Sequence, residues 1–163
     1  MKPDWKAALR TGYQLAYASI DPSTQNAAFL AHTNGQPVFG TTAWNRFPNG
    51  ILHHADRWER PVKYSYVEHA ERGCIYEAAK HGIPTKGATM VCPWAACPDC
   101  ARGIICSGIS RLVRHQVEDS AHWADAIAVA DQMLAEAGVE VITIYGSLHT
   151  DLQVRRNGVL FTP

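Results

Sequence analysis

Apolar residues recur at helical spacing at the start of the chain. Trp5, Ala8, Leu9, Leu15 and Ala16 share one face, which predicts an amphipathic helix over Asp4 to Ser19. Asp21-Pro22-Ser23 then turns the chain. Ala27 to Ala31 and Val38 to Ala43 read as two strands, with Asn34-Gly35 between them as a hairpin turn. Trp44 to Gly50 (WNRFPNG) is dense in turn formers and predicts a loop that continues from Ile51 to Pro61. Tyr64 to Glu68 leads into a helix from about His69 to His81, stopped by Gly82.

From there strands and helices alternate. Gly87 to Pro93 is a predicted strand, with Pro93 at its end or edge. A helix follows from about Cys97 to Ser107, turning Ala101, Ile104 and Ile105 to a core, and then a short strand from Ile109 to Arg114. Ser120 is placed to cap a helix that ends near Ala137-Gly138. Val139 to Tyr145 is the next strand, and Gln153 to Phe161 reads as a hairpin around Asn157-Gly158. This order predicts an α/β fold, a three-layer α-β-α sandwich with a mixed five-stranded sheet. The whole of 1–163 reads as a single domain, with a C-terminal hairpin extension at about 150–163. Both helices that begin at His69 and Cys97 are expected to start at the same edge of the sheet.

Composition narrows the function. Fifteen basic and fifteen acidic side chains leave a formal net charge of zero, which argues against a polynucleotide partner. No apolar run reaches the length of a membrane span, and the opening MKPDWKAALR carries no secretory apolar core. Five cysteines, two of them in a metal-type pair, suit a reducing, cytoplasmic compartment.

Two short stretches carry chemistry: His69-Ala70-Glu71 and Cys97-Pro98-Asp99-Cys100. A catalytic zinc takes three protein ligands and keeps a fourth position for water. His69, Cys97 and Cys100 supply three ligands, predicting one catalytic ion per chain. Cys97 and Cys100 share a helix face at i and i+3, and Pro98 suits the first turn, so both thiols fall where the helix dipole favours thiolates. Glu71 lies two residues from His69 and off its face, free to act as the acid/base that is not a ligand. H-x-E followed by P-C-x-x-C is the signature of zinc deaminases of cytosine or adenine bases. Ala96 stands where that motif has proline. His53 and His54 lack a completing ligand nearby and read as solvent-facing.

The chain also resembles the deoxycytidylate deaminase family, within the zinc-dependent cytidine/deoxycytidylate deaminase superfamily, from about Trp5 to Tyr145. Asp21-Pro22-Ser23-Thr24-Gln25 is similar to the family's D-P-x-S/T-Q turn, and Trp44 to Gly50 to its Y-N-G-x-P-x-G loop. Lys63 to Glu71 (KYSYVEHAE) resembles the run into H-A-E, and Cys100 to Ile109 the helix after the cysteines. The resemblance implies hydrolysis of dCMP to dUMP and ammonia in a homo-oligomer, a hexamer being favoured, with regulation by dCTP and dTTP. It implies zinc on His69, Cys97 and Cys100, proton shuttling by Glu71, and sugar contact by Asn45. Arg46, which replaces the loop glycine, is a candidate for phosphate. Tyr66, Ala70 and Trp94 complete the substrate-binding set, Trp94 as a wall for the base or as an ordinary core tryptophan. Cys92 is expected to be a buried strand thiol.

Arg72-Gly73-Cys74 and Cys92-Pro93-Trp94-Ala95-Ala96 depart from the family pattern around the expected pocket. Four rival readings stay open. A deaminase of 5-substituted dCMP shares every motif named above. A nucleoside deaminase differs only in lacking phosphate recognition. A tRNA adenosine deaminase calls for a basic surface. A zinc-stabilised binding module has no use for Glu71.

Overall fold

The computed structural model describes residues 2–116 and 121–163, so the expected cap at Ser120 lies outside the described residues. The first helix, α1 (Trp5–Ala16), starts where predicted because Asp4 caps it, its carboxylate accepting from the Ala7 N–H at 3.0 Å. It ends three residues before Ser19. The N–H groups of Tyr17, Ala18 and Ser19 bond to the carbonyls of Gln14, Leu15 and Ala16, which tightens the exit into a 3-10 turn. Gly12 and Tyr13 complete a buried face with Ala8, Leu9 and Ala16, while Trp5 and Leu15 are half-buried.

Strand β1 (Ala27–Ala31) stands as predicted, but its partner β2 is only Ala43–Trp44. The expected strand over Val38 to Ala43 is interrupted by Gly40, whose φ of 82° leaves the extended region. The Thr41 hydroxyl replaces the missing ladder: it accepts from Leu30 N–H at 3.0 Å and donates to the Val38 carbonyl at 2.8 Å. A one-turn 3-10 helix at Ala55–Trp58 and the short α2 (Lys63–Tyr66) interrupt what the sequence presents as plain loop. The Lys63 ammonium is buried against Asp21 at 2.7 Å and also bonds Ser23. Burial costs are offset by that partner, and Asp21 in turn accepts from the N–H groups of Ser23 and Thr24.

Helix α3 (Ala70–Lys80), β3 (Thr89–Val91), α4 (Pro98–Cys106), β4 (Arg111–Gln116), α5 (Ala121–Glu136) and β5 (Glu140–Tyr145) follow. Pairing of β3 with β4 runs on past Val91: Cys92 donates to Val113, and Pro93, which has no N–H to give, accepts from His115. The sheet order is β2-β1-β3-β4-β5, antiparallel on the β2-β1-β3 side and parallel across β3-β4-β5. The five-stranded mixed sheet is therefore as expected.

Alternation along the strands builds two cores. Ala28, Leu30, Met90 and Leu112 face α3, α4 and α5, meeting Cys74, Ala101, Ile104 and Leu134. Phe29, Val91 and Val113 face the opposite way, onto Leu9 and Tyr13 of α1. A separate hairpin, β6 (Val154–Arg156) and β7 (Val159–Phe161), turns at Asn157 and Gly158, whose φ values of 49° and 82° suit a two-residue hairpin turn. It docks on the α1 side. Gln25 N–H donates to the Arg155 carbonyl, Arg155 N–H donates to Gln25 Oε1, and Val154 is buried in the second core.

Helix α3 lies close on β2 because residue 73 has no side chain. A Cβ on Gly73 would stand 3.0 Å from the Ala43 Cβ. Gly73→Val should therefore destabilise the protein by about 1–3 kcal/mol through overpacking. Urea denaturation of the variant checks this, and an unchanged midpoint would mean that α3 does not sit this close to the sheet.

Candidate active site

His69 is the N-cap of α3 and Cys97 the N-cap of α4. Pro98 occupies the first turn of α4, where its missing N–H costs no helical bond. Cys100, one turn on, faces the same way. His69 Nδ1 lies 3.6 Å from Cys97 Sγ and 3.5 Å from Cys100 Sγ, and the three donor atoms fall within 4.8 Å of one another. Tetrahedral zinc with Zn–N of about 2.0–2.1 Å and Zn–S of about 2.3 Å separates N from S by about 3.5–3.6 Å. The donor set therefore fits zinc in kind and in spacing. Among the described residues it is the sole such group of histidine, cysteine and acidic side chains.

The electrostatics match that use. The hydrogen bond from Cys100 pushes the Cys97 thiol down to about 3, with His69 adding to the effect. The same bond, with burial, pushes the Cys100 thiol up. Burial acts to lower His69, but its hydrogen bond to Cys97 and the nearby Glu71 charge hold it above its ordinary value. A metal that takes all three donors displaces these protons.

Glu71, in the first turn of α3, is 2% exposed, and its Oε2 has no hydrogen-bond partner among the described residues. Burial drives its carboxyl above the usual carboxylate range against the opposing charge of His69. A buried carboxyl with an unused oxygen, beside three metal donors, is equipped to hold and release a proton.

Glu71, His69 and Cys97 line a cavity whose walls include Asn45, Trp94, Trp123 and Arg156. Asn45 bridges two parts of the site: its Oδ1 accepts from Ala70 N–H at 3.0 Å and its Nδ2 donates to the Thr24 carbonyl at 3.1 Å. Ala70 is buried beneath it. Cys92 is a buried thiol bonded by Asn26 Nδ2 at 3.2 Å and is not among the clustered donors, as its strand position suggests.

Three expected substrate residues are not in the cavity lining: Ala70, which is fully buried, Arg46 and Tyr66. Arg46 lines a separate groove with Trp44 and Pro48; its Nη2 lies 2.7 Å from Glu77, its backbone pairs with Glu68, and its guanidinium covers the Trp44 ring. A strong acidic partner thus holds the charge that the loop position offers to phosphate. Tyr66 packs against Phe47 and under Arg57, outside the cavity lining. Exposed His53 stacks on Phe47 and is not in the donor cluster found among the described residues.

Family comparison agrees with this geometry. Residues 6–116 match the family model for the cytidine and deoxycytidylate deaminase zinc-binding region. The chain belongs to that family. An uncharacterized deaminase in the luxG 3′ region of Aliivibrio fischeri is 36% identical over 125 residues, 76% of this chain and 81% of that protein. The deoxycytidylate deaminase of Mus musculus is 31% identical over 130 residues, 76% of this chain and 70% of that enzyme. The dCMP deaminase of cyanophage S-TIM5, solved with dCMP and dUMP, superimposes with a TM-score of 0.68 at 26% identity, covering 88% of this chain and 99% of that one.

Sequence reasoning missed Lys63, Trp123, Arg156 and Asn157 as cavity residues. Lys63 was within reach, since it opens the KYSYVEHAE run and Asp21 sits in a turn singled out for other reasons. The hairpin residues carry no local signal: only the docking of β6 on Gln25 brings them to the site.

Purified protein should contain about one zinc per chain by elemental analysis. His69→Ala should lose it, since two thiolates leave the set one ligand short. A zinc content that is unchanged in His69→Ala would remove this centre from consideration.

Proposed function

We propose that the chain hydrolyses dCMP to dUMP and ammonia. The observation that carries this reading is the buried Glu71 carboxyl, whose Oε2 has no hydrogen-bond partner among the described residues, beside the His69–Cys97–Cys100 donors in the lining of a cavity. Its support as to substrate is the likeness to the cyanophage enzyme solved with dCMP and dUMP.

His69, Cys97 and Cys100 would hold the zinc, which when bound supplies the Lewis acidity that makes a nucleophile of water at neutral pH. Glu71 takes a proton from the attacking water at its free oxygen. It passes that proton to the ring nitrogen, then takes the second proton from the hydroxyl formed on C4 and passes it to the amino group, so that the C4–N bond breaks, the carbonyl forms and ammonia leaves. Its raised pKa matches a group that must alternate between acid and base. Asn45 keeps one lone pair on Oδ1 and one proton on Nδ2 beyond the two bonds it makes, which is what a sugar hydroxyl needs. Trp94 and Trp123 supply apolar walls that exclude water around the base.

The same reading carries a cytoplasmic homo-hexamer controlled by dCTP and dTTP; light scattering with and without each triphosphate tests both. Among the described residues, no helix is long and apolar enough to cross a membrane.

Ammonia release from dCMP, 5-methyl-dCMP, CMP, deoxycytidine, dCTP and dAMP decides the substrate. dCMP should be turned over fastest, and faster turnover of deoxycytidine would establish a nucleoside deaminase instead. Glu71→Gln should keep its zinc and lose about 10²–10⁴-fold in kcat. Retained activity in the zinc-loaded variant would move the proton shuttle to another group. Asn45→Ala should weaken dCMP and deoxycytidine alike and cost roughly 1–3 kcal/mol of stability, because Ala70 N–H loses its buried partner. A loss confined to the nucleotide would show that Asn45 reads phosphate.

A further inference from the structure

Among the described residues, three buried side-chain atoms have no hydrogen-bond partner: Asp21 Oδ2, Glu71 Oε2 and Trp94 Nε1. All three residues stand in the lining of the same cavity. Buried polar atoms are nearly always paired, because one left alone carries its full desolvation cost. Three of them around one space point to a ligand that pairs them. The hydrolysis uses Glu71 but not Trp94. The Trp94 indole is 7% exposed; Arg156 lies over its ring, with Cζ 3.5 Å from the centroid, and Phe161 meets it at 83°. Packing on these two sides keeps the ring from turning its N–H out to water, and a buried indole N–H normally finds an acceptor. Ala95 and Ala96 join Trp94 to the donor Cys97, which places it at the reacting end of the cavity. Other donors there are spent. Ala70 N–H, between His69 and Glu71, bonds Asn45 Oδ1 at 3.0 Å, Asn26 Nδ2 bonds Cys92, and Lys63 bonds Asp21.

We propose that the Trp94 indole N–H donates to the carbonyl oxygen at C2 of the base, and thereby selects cytosine over adenine. This rests on the reading of the substrate as dCMP and assigns the recognition of its base. Glu71 serves N3 and the C4 amino group. The next polar atom around the ring from N3 is the C2 oxygen, which only accepts, and an indole N–H only donates. Adenine, with its amino group at the same place, puts a C–H where cytosine has this oxygen. The indole N–H then stays unpaired. A site built to bond a polar atom rejects an analogue that lacks it far more strongly than an apolar wall does. H-x-E with C-x-x-C is common to deaminases of both bases, so the discrimination has to come from residues outside those motifs.

The test crosses Trp94→Phe with 2-thio-dCMP, in which sulfur, a weak acceptor, replaces the C2 oxygen. Trp94→Phe keeps an aromatic wall and removes the donor. It should lose about tenfold in kcat/KM on dCMP and change little on 2-thio-dCMP, so that the preference for oxygen over sulfur shrinks by the same factor. Zinc content shows whether the variant's site is intact. An equal loss on both substrates, or no loss on either, makes Trp94 a wall alone; it overturns this inference and leaves the dCMP reading standing. A measurement on the wild type does not depend on the variant's folding. There dUMP, which keeps the C2 oxygen, should inhibit about tenfold more tightly than 2-thio-dUMP, and equal inhibition overturns the inference. Turnover of dAMP in place of dCMP overturns both the inference and the reading it rests on.

Discussion

The site depends on a meeting of two helix N-termini in a largely buried cavity wall. The two thiols and one carboxyl sit within the first turn or at the cap of α3 and α4, all of them buried or half-buried. Anionic groups in such a place need compensation, and the helix dipoles, the His69 imidazole and the metal that the donors fit provide it. Distance along the chain is bridged by the sheet. His69 and Cys97 are 28 residues apart in sequence and 3.6 Å apart in space. Strand β3 lies between the two helices in chain order and carries the second to the first.

The loops around this meeting point are tied by buried polar bonds as well as by the ring stack on Phe47. Asn45 links the end of β2 to the start of α3 and to the turn at Thr24. Lys63 ties the segment before α3 to Asp21 in that same turn. Each bond satisfies a group that burial leaves without water, so the loss of one partner exposes the other to its full desolvation cost. Three loops are thereby fixed relative to the donors without any of them being part of the sheet.

Much of this was legible in the sequence. The helix starts were marked by Asp4 and Pro98, the stop of α3 by Gly82, and the last hairpin by Asn157-Gly158. These are local signals, and the structure honours them. The metal donors were legible because their spacing reflects the geometry of a helix turn. What failed were inferences that needed partners far along the chain. The expected strand over Val38 to Ala43 gave way to a threonine hydroxyl that mimics a ladder bond. The loop cation Arg46 was claimed by Glu77, a half-buried residue of α3 that its own sequence neighbours do not announce. The cavity wall built from β6 escaped notice because its strand is short and its role is set by docking.

The ring contacts that run from Tyr13 through Phe161 to Trp94 connect helix α1 to the substrate wall without touching α3 or α4. Trp94, a wall of the cavity, is thus braced from the α1 layer, while the donors stand on α3 and α4. Repacking at Tyr13 or Phe161 can therefore shift that wall while the donors and the proton carrier stay in place.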